Sequence, residues 1–484
     1  MVYGLPPDFL WGTATSAYQI EGAVTEGGRG PSIWDTHSHT RGRTANGETG
    51  DIAADHYHRL EEDLDLLARL GVGAYRFSIA WPRIQPEGRG AVNPAGLAFY
   101  DRLVDGLLAR GITPVATLYH WDLPQALEDA GGWPSRDTAH RFAAYAETVA
   151  RALGDRVGLW LTVNEPWCAA FLGYSLGEHA PGRAEPAAAV AAAHHLLLGH
   201  GEAVAALRGH THPGAQIAIP LNFEPTVAAS DDPADLDAAR RADGLYNRLF
   251  IDAILGGAYP EDVLEDLAVV SDLAFVRDGD LAAISRPIDA LGVNYYTTTV
   301  TSAGDRPRAD APTPWPGSAD IVDRPTPGPR TAMGWAIDPG GLEALLCRIA
   351  TNYPQTAMYV TENGAAFADE VGPDGSVDDQ DRIGYLEEHV HAVGRARQAG
   401  ADVRGYFVWS LLDNFEWARG YAMHFGLTRL ERDTLERVPK RSFAWYRDMI
   451  REHRGADASS PGQGARSGCA SLSTTSDHDP TTDP

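Results

Sequence analysis

The chain repeats one pattern: an amphipathic stretch, then a glycine or turn, then a short run of apolar residues. In an early repeat, Leu60, Leu64 and Leu67 lie on one face of a predicted helix. Gly71 suits the left-handed position that ends such a helix, and the apolar segment 74–81 follows as a predicted strand. The pattern therefore predicts helices and strands in alternation.

The same alternation extends over most of the chain. Seven helices are predicted, at 60–70, 97–108, 139–152, 187–208, 234–255, 340–351 and 381–399. Eight strands are predicted, at 9–23, 74–81, 113–121, 159–166, 216–223, 288–296, 357–364 and 403–411. Strands separated by helices form parallel sheets, and eight such units favour an α/β fold: a single eight-stranded parallel β/α (TIM) barrel with long βα loops. An open, doubly wound sheet is the alternative.

Two segments interrupt the alternation. Residues 301–330 are rich in Pro, Asp and Arg and are interpreted as a long loop after the sixth strand. Residues 455–484 have almost no aliphatic content, so we expect a disordered polar C-terminal tail. The predicted organisation is one catalytic barrel over residues 1–454, followed by that tail.

Charge and composition exclude several classes of partner. The net charge of −26 over 484 residues argues against nucleic acid and anionic membranes, both of which attract basic proteins. Lys440 is the single lysine, so a P-loop is excluded. The start of the chain has no basic segment followed by a long apolar run, and no run of ~18 apolar residues occurs. Three cysteines without a C-x-x-C pair fit a reducing compartment, so we expect a cytoplasmic protein, with a homo-oligomer left open.

Polar and aromatic side chains collect where the predicted strands end. A barrel gathers the C-terminal ends of its strands around one bowl, where barrel enzymes keep their active sites. For any single residue, a purely structural role explains the position as well as a functional role does. The occurrence of such residues at all eight strand ends favours an active site. The residues are Gln19, Glu21, Arg76, His120, Trp121, Asn164, Glu165, Asn222, Asn294, Tyr296, Glu362, Asn363 and Trp409.

Two of these carboxylates, Glu165 and Glu362, indicate a chemistry. Paired carboxylates cleave glycosidic bonds: one attacks the anomeric carbon and the other protonates the leaving oxygen. The alternative is that each glutamate is a structural ion-pair partner. Arg76 would keep a neighbouring carboxylate ionised, as a nucleophile requires, although a structural bridge between strands explains it equally well.

The aromatic content points toward a sugar substrate. The chain has 12 tryptophans, and several follow strand ends, where ring faces can pack against the C–H faces of a sugar. Core packing is the alternative for any single tryptophan. The GYSLG segment 173–177 matches a serine nucleophile elbow, but it does not directly follow a strand, so we do not assign that role. We expect no metal and no cofactor, because the histidine pairs in the sequence lack further converging ligands.

Seven ordered motifs resemble glycoside hydrolase family 1 over about residues 6–450. They are QIEGA (19–23), YRFSIAWPRI (75–84), LYHWDLPQAL (118–127), TVNEPW (162–167), GVNYY (292–296), YVTENG (359–364) and FVWSLLDNFEWARGY (407–421). Each motif is weak alone, but together and in this order they are specific. The resemblance implies a β/α barrel that hydrolyses β-linked glycosides with retention, its two carboxyl groups ~5–5.5 Å apart.

The resemblance also implies roles for individual residues. Glu165 resembles the acid/base, Glu362 the nucleophile, Tyr296 the hydroxyl that holds the nucleophile, Arg76 its cationic neighbour and Trp335 the platform for the leaving group. The residues that look like sugar contacts are Gln19, His120, Trp121, Asn164, Asn294, Trp409, Glu416 and Trp417.

Residue identities at these positions narrow the expected substrate. Glu416 stands where members that act on 6-phospho sugars have Ser, and a buried carboxylate repels a phosphate, so we predict an unphosphorylated sugar. The leading hypothesis is a β-glucosidase acting on small β-glucosides: cellobiose, short cello-oligosaccharides and aryl or alkyl glucosides. The alternatives are a same-fold enzyme acting mainly on galactosides or fucosides, a transglycosylase and a non-catalytic sugar-binding protein.

Overall fold

Eight parallel strands close into a barrel in the computed structural model, which describes residues 2–305, 308 and 310–458. Each strand pairs with its neighbours in sequence, and the eighth returns to the first, with Gly405 opposite Leu10. In chain order, strands β1–β8 are Leu10–Ala14, Ala74–Ser78, Thr113–Tyr119, Leu159–Val163, Gln216–Phe223, Ala290–Tyr295, Met358–Asn363 and Val403–Trp409. The predicted barrel is confirmed, and the open sheet is excluded.

One principal helix follows each strand and covers the outside of the barrel. Helices α1–α8 are Leu60–Leu70, Pro94–Ala109, Arg136–Leu153, Pro186–Arg208, Pro233–Asp243, Pro339–Asn352, Gln380–Gln398 and Arg441–Ala458. Gly71 ends α1 with φ +76°, as predicted from its freedom to adopt that conformation. No helix within the described residues is long and apolar enough to cross a membrane.

The remaining helices are short and lie mostly in the loops. After α5, the chain stays helical as Gly244–Arg248, Leu249–Ile251 and Asp252–Gly256, so the predicted helix 234–255 is four consecutive segments. The others are Val2–Gly4, Ala17–Ile20, Ile33–His39, Ala45–Gly47, Trp81–Ile84, Gln125–Asp129, Cys168–Leu176, Glu261–Leu267, Asp280–Ile284 and Trp417–Arg419.

Two apolar layers form the core. Small and medium side chains such as Ala14, Ala74, Val115 and Leu161 fill the inside of the barrel. A larger layer lies between the outer faces of the strands and the helices, where it buries Trp11, Trp81 and most helix leucines. The barrel interior is therefore packed, and the space for a ligand lies above it, at the strand ends.

Two element predictions are wrong. The predicted first strand, 9–23, is a strand only at Leu10–Ala14 and continues as the helix Ala17–Ile20, because both parts are buried and the apolar pattern does not separate them. The predicted 301–330 loop contains the strand Ile321–Arg324, which pairs with Thr299–Ala303 and, through it, with Thr226–Ala228. A two-stranded ribbon, Thr428–Leu430 with Arg437–Pro439, precedes α8.

The end of the chain was only partly anticipated. Helix α8 was not predicted, and it extends to Ala458, four residues into the predicted tail. The rest of the predicted tail, 459–484, lies outside the described residues.

Candidate active site

A cavity of about 440 Å³ opens at the C-terminal ends of the barrel strands. Both candidate carboxylates and most of the predicted contact residues line it. Those residues are His120, Trp121, Glu165, Asn294, Tyr296, Trp335, Glu362, Trp409, Glu416 and Trp417. Three predicted residues, Gln19, Arg76 and Asn164, are completely buried and do not belong to the cavity wall.

Glu362 lies at the end of β7 and is held by two donors. Arg76 Nη1 donates to its Oε1 at 2.6 Å, and the Tyr296 hydroxyl donates to its Oε2 at 2.6 Å. The side chain is 3% exposed, so a buried negative charge here needs such partners. Both oxygens are fixed in direction, and one of them accepts a charge-assisted hydrogen bond from the guanidinium.

Arg76 is a buried cation whose donors are all directed at the site. From β2, its Nη1 also bonds the Thr361 carbonyl at 3.0 Å, and its Nη2 bonds Asn164 Oδ1 at 2.6 Å. Its Nε reaches Thr117 Oγ1 on β3 at 3.2 Å. The guanidinium therefore ties strands β2, β3 and β7 and the end of β4 into one rigid platform.

Glu165 follows β4 in the left-handed backbone region, with φ +48°. Its Oε1 accepts from Asn294 Nδ2 at 2.6 Å, and its Oε2 accepts from the Cys168 thiol at 3.2 Å. Burial and the negative charge of Glu362 raise the pKa of Glu165 well above the ordinary range of a glutamate. Glu165 is therefore the carboxyl that retains a proton, whereas Glu362 lies against a guanidinium.

Two asparagines connect the carboxylates. Asn294 donates to Asn164 Oδ1 at 3.1 Å and accepts from Thr361 Oγ1 at 2.6 Å, while its strand position lies beside Glu362 in the sheet register. The Asn164 amide in turn meets His120 Nε2 at 3.2 Å. A change at one carboxylate is therefore transmitted through hydrogen bonds to the other.

An aromatic wall with unpaired polar atoms faces the carboxylates. His120 is stacked between Trp409 and Trp417, at ring distances of 5.8 and 5.9 Å, and Trp121 packs on Trp417 at 4.7 Å. His120 Nδ1 and Glu416 Oε2 are buried without a hydrogen-bond partner. Burial and the charges of Glu362 and Glu165 raise the pKa of Glu416 to about 8. Such orphaned groups suit a ligand that brings hydroxyls.

Gln19 supports this wall from behind. Its Nε2 donates to Asn414 Oδ1 at 3.0 Å and to the Phe415 carbonyl at 2.9 Å, and its Oε1 accepts from Ser16. Both N–H groups of the amide thus bond protein atoms, and they steady the segment that carries Glu416 and Trp417. A sugar contact by Gln19 stays a prediction.

Several residues that line the cavity were not assigned to the site from sequence. Cys168 opens the helix Cys168–Leu176, directly after the NEPW motif, and its position three residues from Glu165 was a usable signal. Glu224, Trp315 and Asp323 reach the cavity from the segments after β5 and β6, and Tyr246 reaches it from the helical stretch after α5; no motif in the sequence marks these four residues.

One acidic cluster outside the cavity has the geometry of a cation site. Ligand atoms of Asp369, Asp413 and His424 lie within 4.8 Å of one another. The Lys440 ammonium already contacts Asp369 at 2.5 Å and Asp413 at 2.8 Å, so a protein cation occupies the place between these carboxylates.

A β/α barrel that presents two buried carboxyls, only one of them paired with a cation, to one aromatic cavity has the architecture of a glycoside hydrolase. The sequence model for Glycosyl hydrolase family 1 matches residues 2–455. The chain belongs to this family.

Similar proteins are known in several bacteria. A bifunctional beta-D-glucosidase/beta-D-fucosidase of Bifidobacterium breve is 51% identical, with 93% of this chain and 98% of the relative covered. A thermostable beta-glucosidase B of Thermobispora bispora is 51% identical, with 93% of this chain and 91% of the relative covered. The crystal structure of a psychrophilic beta-glucosidase of Micrococcus antarcticus has a TM-score of 0.90 at 48% identity, with 93% of this chain and 98% of that chain covered.

Proposed function

We propose that the protein is a retaining β-glucosidase that releases terminal β-D-glucose from cellobiose, short cello-oligosaccharides and aryl or alkyl β-glucosides. The observation that carries the proposal is the unequal environment of the two carboxyls. Glu362 is paired with Arg76, whereas burial and the charge of Glu362 keep the proton on Glu165. One group is ready to attack and the other to donate.

In the first step, a Glu362 oxygen forms a bond to the anomeric carbon while the glycosidic C–O bond breaks. Glu165 gives its proton to the departing oxygen, so the leaving group departs as a neutral alcohol or phenol. The Tyr296 hydroxyl and Arg76 hold the attacking carboxylate in position. The product of this step is a glucosyl ester on Glu362.

In the second step, ionised Glu165 removes a proton from water, and the water oxygen attacks the anomeric carbon. The ester bond breaks, Glu362 returns as a carboxylate, and glucose leaves with its original β configuration. Two inversions at one carbon explain the retention. An alcohol or a second sugar in place of water would give transglycosylation with the same residues.

The proposed glucose site is the wall that contains the orphaned polar atoms. His120 Nδ1 and Glu416 Oε2 are available to sugar hydroxyls, and Trp409 and Trp417 offer ring faces to the C–H side of the sugar. Glu416 also disfavours a 6-phosphate, because burying that anion is costly without a paired cation and this position offers a carboxyl instead. The bifunctional name of the Bifidobacterium breve relative supports fucosides as additional substrates.

Hydrolysis of four nitrophenyl glycosides tests this proposal: the β-glucoside, β-galactoside, β-fucoside and β-6-phosphoglucoside. We expect release from the glucoside and, more weakly, from the other unphosphorylated sugars. Release from the phosphorylated sugar alone would contradict the role given to Glu416. If none of the four is cleaved, the proposed activity is wrong.

Azide rescue assigns the two roles separately. We expect Glu362→Gly to lose nearly all activity and to form an α-glucosyl azide when azide replaces the nucleophile. Glu165→Gly should lose about 10²–10⁴-fold on poor leaving groups and form a β-glucosyl azide. If Glu362→Gly formed the β-glucosyl azide and Glu165→Gly the α-glucosyl azide, the proposed roles would be wrong.

A further inference from the structure

The cavity has a second wall that the proposed glucose site does not use. It follows Glu165 along the chain and includes residues from the insertion after β6. We call it the outer wall, and it consists of Trp167, Asn222, Glu224, Tyr246, Trp315 and Asp323. Asp323 is solvent-exposed, so this wall forms the mouth side of the cavity, where the leaving group must lie if the proposed function holds.

The outer wall contains two buried donors that a ligand can satisfy. Trp167 Nε1 has no hydrogen-bond acceptor within the described residues, and Asn222 Nδ2 forms no well-aligned hydrogen bond, although the Tyr246 hydroxyl lies beside it. The two residues are only 6% and 7% exposed. Both residues line the cavity. Buried donors are costly unless satisfied, so these positions are ready for the oxygen atoms of a ligand.

Aromatic rings surround these donors. Tyr246 packs on Trp167 with ring centres 4.1 Å apart, and Trp315 lies about equally far from both rings, at 6.0 and 6.1 Å. The Tyr246 side chain also interacts with Asn222 and Glu224. Ring faces of this kind accept the flat side of a sugar or an aryl group, and they also attract cations.

The outer wall contains two carboxyl groups, and no ion pair within the described residues neutralises either of them. Burial and, second to it, the charge of Asp323 raise the pKa of Glu224 to about 8, so a cation bound beside these groups would favour the ionised form of Glu224. Among the described residues that line the cavity, Arg419 is the single Lys or Arg, and it pairs with Glu178 at 3.5 Å. Arg324 follows Asp323 in the strand, and successive side chains of a strand point to opposite faces. Arg324 Nε donates to Ser302 Oγ instead of pairing with Asp323.

We propose that the outer wall selects leaving groups that carry a protonated amine. Glu224 and Asp323 would bind the ammonium group, Asn222 and Trp167 would donate to its neighbouring oxygens, and the rings would cover its apolar face. This inference rests on the proposed function, because the amine must belong to the group that Glu165 protonates and releases. Amine-bearing sugars and aminoalkyl phenols are the corresponding chemical class.

A matched pair of substrates tests the selection. We would measure kcat/KM at pH 7 and low salt for 4-(aminomethyl)phenyl and 4-(hydroxymethyl)phenyl β-D-glucosides, which differ mainly in charge. The intact enzyme should prefer the amine by about fivefold, the scale of a partly exposed ion pair. Added salt should reduce this ratio, because it screens exposed charges.

Three variants locate the source of the preference. Asp323→Asn and Glu224→Gln should each bring the ratio close to one, chiefly by lowering kcat/KM for the aminomethyl substrate. Asp278→Asn is the matched control, because it removes an exposed carboxylate that does not line the cavity and should leave the ratio unchanged.

The outcomes separate this inference from the proposed function. A ratio near one in the intact enzyme, with both substrates cleaved, overturns the inference and leaves the glucosidase intact. A preference that survives both carboxylate substitutions, or an equal loss on both substrates, overturns the assignment to the outer wall. Failure to cleave either substrate or nitrophenyl β-glucoside refutes the proposed function itself.

Discussion

Cys168 illustrates how one side chain can adjust the chemistry of another. Its thiol donates to Glu165 Oε2 at 3.2 Å, and the contact favours the ionised form of that carboxyl. The opposing influences on Glu165, burial and the charge of Glu362, are larger and keep its pKa raised. The thiol therefore lowers a pKa that would otherwise be higher still.

Cys168→Val should raise the pKa of Glu165, because the apolar side chain keeps the site dry but cannot donate. We expect the alkaline limb of kcat/KM, which reports the acid of the free enzyme, to move upward by about half a pH unit. Cys168→Ser should leave the pH of the alkaline limb nearly unchanged, because the serine hydroxyl can still donate to Glu165. The control is Cys347→Val on α6, and a downward shift in Cys168→Val would contradict the assigned interaction.

At the residue scale, the sequence indicated which residues carry the chemistry, but it did not indicate which partners those residues contact. Glu165, Glu362 and Arg76 were assigned from residue type and from a resemblance, and the structure brings them together in the same cavity or directly behind it. Gln19 was expected to contact the sugar, which stays a prediction, and the structure adds two partners that the sequence did not indicate, Asn414 and Phe415. Such partners lie about 395 positions away, so no local pattern reveals them.

At the element scale, the segment between β8 and α8 carries much of the glucose wall and depends on a buried lysine. Lys440 is the single lysine of the chain, and its ammonium bridges Asp369 and Asp413 with no solvent exposure. Asp413 Oδ1 also accepts from the Gly426 N–H, so it ties together the two ends of this segment. The bridge holds the stretch that presents Glu416 and Trp417.

Lys440→Met should lower the free energy of unfolding by about 3–5 kcal/mol, because two buried carboxylates lose their shared cation. Denaturant unfolding at pH 7 measures this change. The control is Arg441→Met, which removes a cation whose side chain is 58% exposed and should cost less than about 1 kcal/mol. Equal effects of the two substitutions would show that the buried bridge contributes little.

Element boundaries were predictable where burial alternates and not where it is continuous. Helix α1 shows a clear apolar face and was predicted at its true bounds. The stretch 9–23 is buried through both its strand and its helix, so period-based reasoning merged them. The strand Ile321–Arg324 lies in a proline-rich segment, and it is defined by its pairing partner Thr299–Ala303 rather than by its own residues.

At the scale of the whole molecule, helix α8 and the segment before it contact strand β1 and helix α1. Tyr446 on α8 bonds the Gly12 carbonyl on β1 at 2.9 Å, and Arg437 bonds Asp63 on α1 at 2.8 Å. Asp63 also contacts His56 Nδ1 at 2.7 Å and is completely buried. Eight alternating units made the barrel predictable, but these closing contacts join residues too distant for sequence patterns to connect.

Asp63→Asn tests the closure through its pH dependence. The His56 and Arg437 hydrogen bonds hold the pKa of Asp63 below its ordinary value despite burial. A depressed folded-state pKa contributes stability above the unfolded pKa, near 3.9, and this stability is lost as pH falls through the folded pKa.

Asp63→Asn should therefore cost about 3–5 kcal/mol at pH 7, with the deficit shrinking below about pH 4. Urea unfolding across pH measures both effects. Asp65→Asn on the same helix, where the side chain is 68% exposed, should cost less than about 1 kcal/mol. A deficit for Asp63→Asn that stays constant into acid would contradict the linkage.

The central claim is that Glu362 forms a covalent glucosyl ester, and trapping that ester tests it most directly. A 2-deoxy-2-fluoro-β-glucoside with a dinitrophenyl leaving group slows both steps but still permits the first, so the ester should accumulate. We predict stoichiometric release of dinitrophenol, loss of activity, and one fluorosugar on the peptide that contains Glu362. A label on another residue, or turnover without any adduct, would contradict the account.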